Sequence, residues 1–161
     1  WTYAVTVALM PVAALLFGAG LLQPNPFSIA FVATPFDPGK PGAVAITRHP
    51  LLWGLGLWGL AHVPANGDLA AVIMFGGLGS FGLIGMWAVE TRKRKMLGEV
   101  QWQQLAGPTS VLPFAALLGG RARWPTDRGT LVGGAIGLAV ALWLVFGGHF
   151  WLFRRNPLAM F

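Results

Sequence analysis

The sequence contains no cysteine. That excludes a disulfide framework, a thiolate nucleophile and any zinc–thiolate or iron–sulfur site. Charge is also scarce. Only 10% of the 161 residues are Asp, Glu, Lys or Arg, against roughly 25% in a soluble domain. With 55% of the chain hydrophobic, that shortage excludes both an ordinary soluble domain and a disordered chain, since each needs far more charge. Acidic residues are fewest, five in all. No two of them lie at helical spacing inside an apolar run, so paired-carboxylate chemistry of the glycosidase type has no support.

What the chain does have is long uncharged stretches, 23 Gly and 8 Trp. Glycine is common in spanning helices, and tryptophan collects at membrane interfaces. About 20 apolar residues at about 1.5 Å each cross the hydrocarbon. The sequence therefore predicts an all-α polytopic membrane bundle, one transmembrane domain over residues 1–161 with four spans at about 2–22, 48–65, 69–91 and 129–153. Pro11 lies inside the first span, where a bilayer tolerates it. Gln23-Pro24-Asn25-Pro26 stops that span, and Phe27 to Thr47 is a Pro- and Gly-rich connector expected to lie along the interface. Thr47 is the expected N-cap of the second span, with Pro50 in its first turn. Glu90-Thr91-Arg92-Lys93-Arg94-Lys95 closes the third span as a stop-transfer run. Met96 to Leu105 reads as an interfacial helix, and Val111 to Leu118 as an interfacial or re-entrant piece too short to span. In the last span Gly129, Gly133 and Gly137 fall four apart, a flat face for close packing on a neighbour.

The net charge is +6, from 11 Lys and Arg. These cations sit in short loops between apolar runs, so they read as topology signals and contacts to anionic lipid, not as a nucleic-acid surface. With Arg92–Lys95 placed in the cytoplasm, nine of the 11 cations fall on that side, and only Arg154 and Arg155 fall opposite. The expected location is a bacterial inner membrane, with a periplasmic or lumenal C-terminus. The chain opens at Trp1 inside an apolar run with no signal-peptide n-region, and we expect further N-terminal helices upstream of it.

Gly54-Leu55-Gly56-Leu57-Trp58-Gly59 has the spacing of a dinucleotide fingerprint, but that motif needs a strand before it and a helix after it. Inside a span these glycines instead permit close helix packing, or leave room for a bulky ligand. The three histidines carry more chemical information, because ionisable groups at membrane depth are costly. His49 sits beside Arg48 at the cytoplasmic mouth, where helix initiation with lipid contact competes with cofactor binding. His62 lies 13 residues further on, about 20 Å along a helix, so the two cannot share one metal. His149 lies 20 residues past Gly129, about 30 Å along a helix running the other way. His62 and His149 can therefore share the outer half of the membrane on two helices. That placement suits two axial ligands of one haem, a proton relay, or two ordinary hydrogen-bonded histidines. Trp53, Trp58, Trp143 and Trp151 fit interfacial belts, or rings lining a flat apolar ligand such as a porphyrin or polyene.

The blocks Arg48-His49-Pro50-Leu51-Leu52-Trp53-Gly54, Leu57-Trp58-Gly59-Leu60-Ala61-His62 and Asn66-Gly67-Asp68 resemble the NnrU family, as does His149-Phe150-Trp151-Leu152-Phe153 with Asn156-Pro157-Leu158. These are small membrane proteins linked to nitrite and nitric oxide metabolism, and the family includes a plant carotenoid isomerase that uses haem b. The resemblance implies haem b as cofactor, His62 as an iron ligand, and a carotenoid or other apolar ligand. The family's second ligand lies upstream of Trp1, so either His149 takes its place or the partner precedes this chain. Arg-His-Pro at Arg48, with Leu97-Gly98-Glu99, Trp102 and Pro113, also resembles isoprenylcysteine methyltransferase-like membrane proteins. That likeness implies S-adenosylmethionine near Arg48 and His49. The chain departs from it where an acidic pair is replaced by Arg92–Lys95. The Gly faces and the Trp-bearing surface equally fit an accessory subunit of a larger membrane complex. The candidate cofactor residues are thus His62, His149, Arg48, His49 and Trp58, with His62 and His149 as candidate metal ligands.

Overall fold

In lipid, a backbone must satisfy its own polar groups, which for uncharged runs without alternation means helices. The computed structural model describes residues 1–159, and among them no strand occurs. Six helices follow in chain order: α1 Thr2–Leu21, α2 Pro50–Asn66, α3 Leu69–Leu97, α4 Glu99–Ala106, the single turn α5 Ala115–Leu118 and α6 Arg128–Phe153. Helices α1, α3 and α6 are long and apolar enough to cross a membrane. The second expected span is the 17-residue α2, about 25 Å long.

Helix α1 packs on both α2 and α6, and α2 packs on α3, giving the lateral order α3–α2–α1–α6. Their directions alternate, because the C-terminal end of α1 meets the start of α2 at Gly20 and Leu51, while Gln23 hydrogen-bonds Asp127 at the start of α6. The end of α3 in turn meets the start of α2 through Glu90 and Arg48. All the cations from Lys40 to Arg128 thus gather at one end, hereafter the inner end, and Arg154 and Arg155 lie at the other.

Small residues set the helix spacing. A Cβ on Gly133 would overlap the Gly18 backbone, and one on Gly137 would overlap Ala14, so the four-residue spacing does serve packing of α6 on α1. The second glycine cluster is divided between two neighbours. A Cβ on Gly54 would meet Ala13 O of α1 at 2.8 Å, whereas one on Gly59 would meet Phe75 O and Gly79 N of α3 at 2.6 Å. These glycines are helix-packing residues, not a loop around a phosphate. Thr6 Oγ1 donates to Ala61 O at 2.7 Å and fastens α1 to α2 at the outer end.

Breaks occur where the sequence permits them. Gly67 caps α2 at φ 71 and Gly98 separates α3 from α4 at φ 75, conformations that cost a residue with a Cβ. Asp68 and Asp127 start α3 and α6 by accepting from the backbone N–H of Ala71 and Thr130. Helix α3 widens into a π-turn at Val72–Gly76, and α6 does so at Leu144–Gly148, with non-helical backbone at Gly147.

Two expectations need correction. The N-cap of α2 is His49, not Thr47, and no side chain caps it; the Thr47 hydroxyl instead donates to Val111 O at 2.8 Å. The connector 27–47 is more than an interfacial strap. Ile29 and Phe31 are exposed, but Phe27 and Val44 are fully buried in a small core with Trp102 and Ala106. Burying a Phe contributes about 2 kcal/mol toward holding the connector against α4.

Because the α1–α6 seam has no room for a Cβ, Gly133→Val is expected to destabilise the fold by about 2 kcal/mol. Gly77→Ala, with open space around it, is expected not to; thermal unfolding in detergent compares the two. At the inner surface a bidentate hydrogen bond from Arg94, and a second bond from Gln103, hold the exposed Glu99 carboxyl at about 2. A carboxyl pKa lowered by folding contributes stability above the ordinary carboxylate range and loses it as pH falls through the folded value. Glu99 should therefore remain ionised where an ordinary glutamate is half protonated. Arg94→Gln should return it to that range in a carbon-13 NMR titration.

Candidate functional site

The bundle places its chemistry at two ends. At the inner end, Arg48 and His49 lead into α2, and Glu90 lies on the last turns of α3. Glu90 Oε1 accepts from Arg48 Nη1 at 2.6 Å and from His49 Nε2 at 3.0 Å, so the carboxylate fixes the imidazole proton on Nε2. Arg48 is held on every side: Nε donates to Thr109 Oγ1 at 2.9 Å, and Cζ lies 5.2 Å from the Phe27 ring centroid and 5.3 Å from that of Trp102. The main chain joins in, with Arg48 N donating to Ser110 O at 2.6 Å and Asn25 Nδ2 to Arg48 O at 2.9 Å. Trp53 Nε1 donates to Val111 O at 2.9 Å, so Trp53 is a clasp for the 109–111 segment and not a belt residue.

His49 has no exposed surface, which overturns lipid contact as its role. Its Nδ1 has no hydrogen-bond partner among the described residues. Arg48 and His49 are both committed to one carboxylate. Glu90 was missed by sequence reasoning because it heads a run of cations and looks like part of the stop-transfer signal. Its one distinguishing mark is being the sole acid in that run.

At the outer end, His62 lies on the last turns of α2. Its Nδ1 bonds Trp58 O at 2.7 Å. Its ring stacks on Phe75, 4.8 Å away at 20°, and lies 5.2 Å from the Trp58 ring. Phe75 belongs to the π-turn of α3, and neither Phe75 nor the π-turn was foreseen from the sequence. His149 follows the π-turn of α6, and its Nδ1 bonds Arg155 O at 3.0 Å. Both histidines lie toward the outer end of the bundle, His62 on the last turns of α2 and His149 on the last turns of α6. In both rings Nδ1 is tied to a backbone carbonyl and Nε2 is left free. That arrangement orients a histidine toward a metal. No cluster of three or more metal-ligating side chains occurs among the described residues, so a metal here would rest on this pair and on whatever else it carries. Beside His149 an open groove of about 530 Å³ is lined by Trp143, Phe146, Gly147, Gly148 and Trp151. The Trp143 indole lies across Gly148, where a Cβ would come within 2.6 Å of the ring.

The family model described as NnrU protein matches residues 1–157. The chloroplastic 15-cis-zeta-carotene isomerase of Zea mays is 37% identical over 110 residues, which is 66% of this chain and 30% of that protein. The Arabidopsis thaliana protein of the same name is 36% identical over the same shares. The matched segment thus spans less than a third of these relatives. No solved structure matches the chain.

Removing the Glu90 carboxylate would leave Arg48 and His49 buried and uncompensated. Glu90→Ala is expected to cost about 3 kcal/mol, whereas Glu99→Ala, which breaks an exposed and water-screened pair, is expected to cost far less. Denaturant titration in mild detergent compares them.

Proposed function

The chain belongs to the NnrU family, and from that premise we propose that it is an isomerase-related membrane protein that binds haem b through His62 and His149. The observation that carries the reading is a pattern the two imidazoles share, each with Nδ1 on a backbone carbonyl and Nε2 free. The donor set fits the group, since neutral imidazole is a common ligand of haem iron.

In this reading His62 and His149 would hold the haem iron, each through its free ring nitrogen. Trp58 and Phe75 restrain the His62 ring and keep water from it. The Trp143–Trp151 groove takes the flat apolar part of a ligand of carotenoid type, presenting ring faces and no charge. When bound, haem b supplies one-electron chemistry of the kind that lowers the barrier to rotation about a polyene double bond. The protein's share is binding, orientation and exclusion of water. By the lysine and arginine distribution, the inner end faces the cytoplasm and this site lies in the periplasmic or lumenal half of the bilayer.

Protein purified from cells with full haem supply should show a Soret band and the visible bands of a six-coordinate low-spin haem. His62→Ala and His149→Ala should each abolish that signature while leaving the helical circular dichroism unchanged. A colourless wild type under the same supply would overturn the proposal.

A further inference from the structure

The outward face of α3 carries a further feature, on the side turned away from α2. Gly79, Gly82 and Met86 are buried toward α2, so the opposite face looks away from the bundle. Phe81 and Ile84 are both 64% exposed and Trp87 is 72% exposed, forming an apolar stripe that runs toward the inner end. The stripe ends in a groove of about 450 Å³ lined by Trp87, Ala88, Thr91, Arg92, Lys95 and Met96. Along the axis Arg92 lies about 7 Å and Lys95 about 12 Å past Trp87. An interfacial indole with cations just above it matches the layering of glycerol backbone and phosphate in one leaflet.

The cations of this run are not equivalent. Arg94 is engaged bidentately by Glu99, whereas neither Arg92 nor Lys95 pairs with a carboxylate among the described residues. The Trp87 indole N–H has no protein acceptor there either. The groove thus offers two uncommitted positive charges and a free donor, directly continuous with an apolar track.

We propose that this groove binds an anionic phospholipid of the inner leaflet. Its acyl chain lies along Phe81 and Ile84, its ester region meets Trp87, and its phosphate and acidic headgroup meet Arg92 and Lys95. Charge complementarity selects the occupant. A zwitterionic lipid would satisfy the apolar track but bring its own cation to the two already present.

The test uses the whole chain in vesicles, with brominated phosphatidylglycerol or brominated phosphatidylcholine as quencher of tryptophan emission. The difference between wild type and Trp87→Phe isolates the Trp87 signal. Brominated phosphatidylglycerol should quench it at a roughly tenfold lower lipid fraction than the choline lipid. The double variant Arg92→Gln/Lys95→Gln should lose that preference, while Arg123→Gln, a cation away from the groove, should keep it. Excess inorganic phosphate should leave the preference in place. Equal quenching by the two lipids would overturn the proposal, as would a preference that survives the double variant. Loss of the preference in Arg123→Gln would also overturn it, by showing surface charge in general. Displacement by inorganic phosphate would overturn it by showing a phosphate site and not a lipid site.

Discussion

One carboxylate holds the inner end together. Glu90 accepts from Arg48 and His49, and Arg48 in turn engages Thr109, Phe27 and Trp102. Through that single oxygen the start of α2, the end of α3, the connector, α4 and the 109–111 segment become one body. A charge pair this close to a bilayer persists only because each partner is hydrogen-bonded. Burying the guanidinium and imidazole without the carboxylate would cost more than the surrounding apolar core returns. Placement of α2 at the correct height between α1 and α3 follows from this junction, and with it the depth of His62 at the far end of the same helix.

The two ends of the bundle therefore differ in kind. At the inner end nearly every polar atom around Arg48 has a partner, and the aromatic rings of Phe27 and Trp102 close over it. At the outer end the helices loosen into π-turns at Val72–Gly76 and Leu144–Gly148. There the histidines are oriented but left with a free nitrogen. A π-turn shifts the residues after it around the helix axis, and here it brings Phe75 onto the His62 ring. The bundle thus pairs rigid closure at one end with oriented, uncommitted histidine nitrogens at the other.

Several features were legible from the residues alone. The uncharged runs foretold the spans because the hydrocarbon thickness imposes their length. The four-residue glycine spacing in α6 foretold a flat packing face because helix geometry imposes that period. The Arg48–Glu90 and His49–Glu90 contacts were not legible. Those partners are 41 and 42 residues apart and meet only because α2 and α3 pack antiparallel. His49 illustrates the limit: beside Arg48 and before a proline it looks like an interfacial residue, yet it is fully buried. Trp53 likewise fits an interfacial belt in the sequence, but the loop brought back over it takes its indole N–H as a hydrogen-bond donor.

The sequence by itself determined that the chain is a helical membrane bundle and which of its ends carries the positive charge. Each of these depends only on run length, charge count and rise per residue, all of which are local or additive along the chain. Only the tertiary structure decided which side chain answers which. The acceptor for Arg48 and His49, the ring against His62, and the freedom of Arg92 and Lys95 beside an engaged Arg94 all depend on how neighbouring helices are rotated about their axes. That rotation is set by close packing at glycine contacts and by one shared carboxylate, and neither leaves a periodic mark in the sequence.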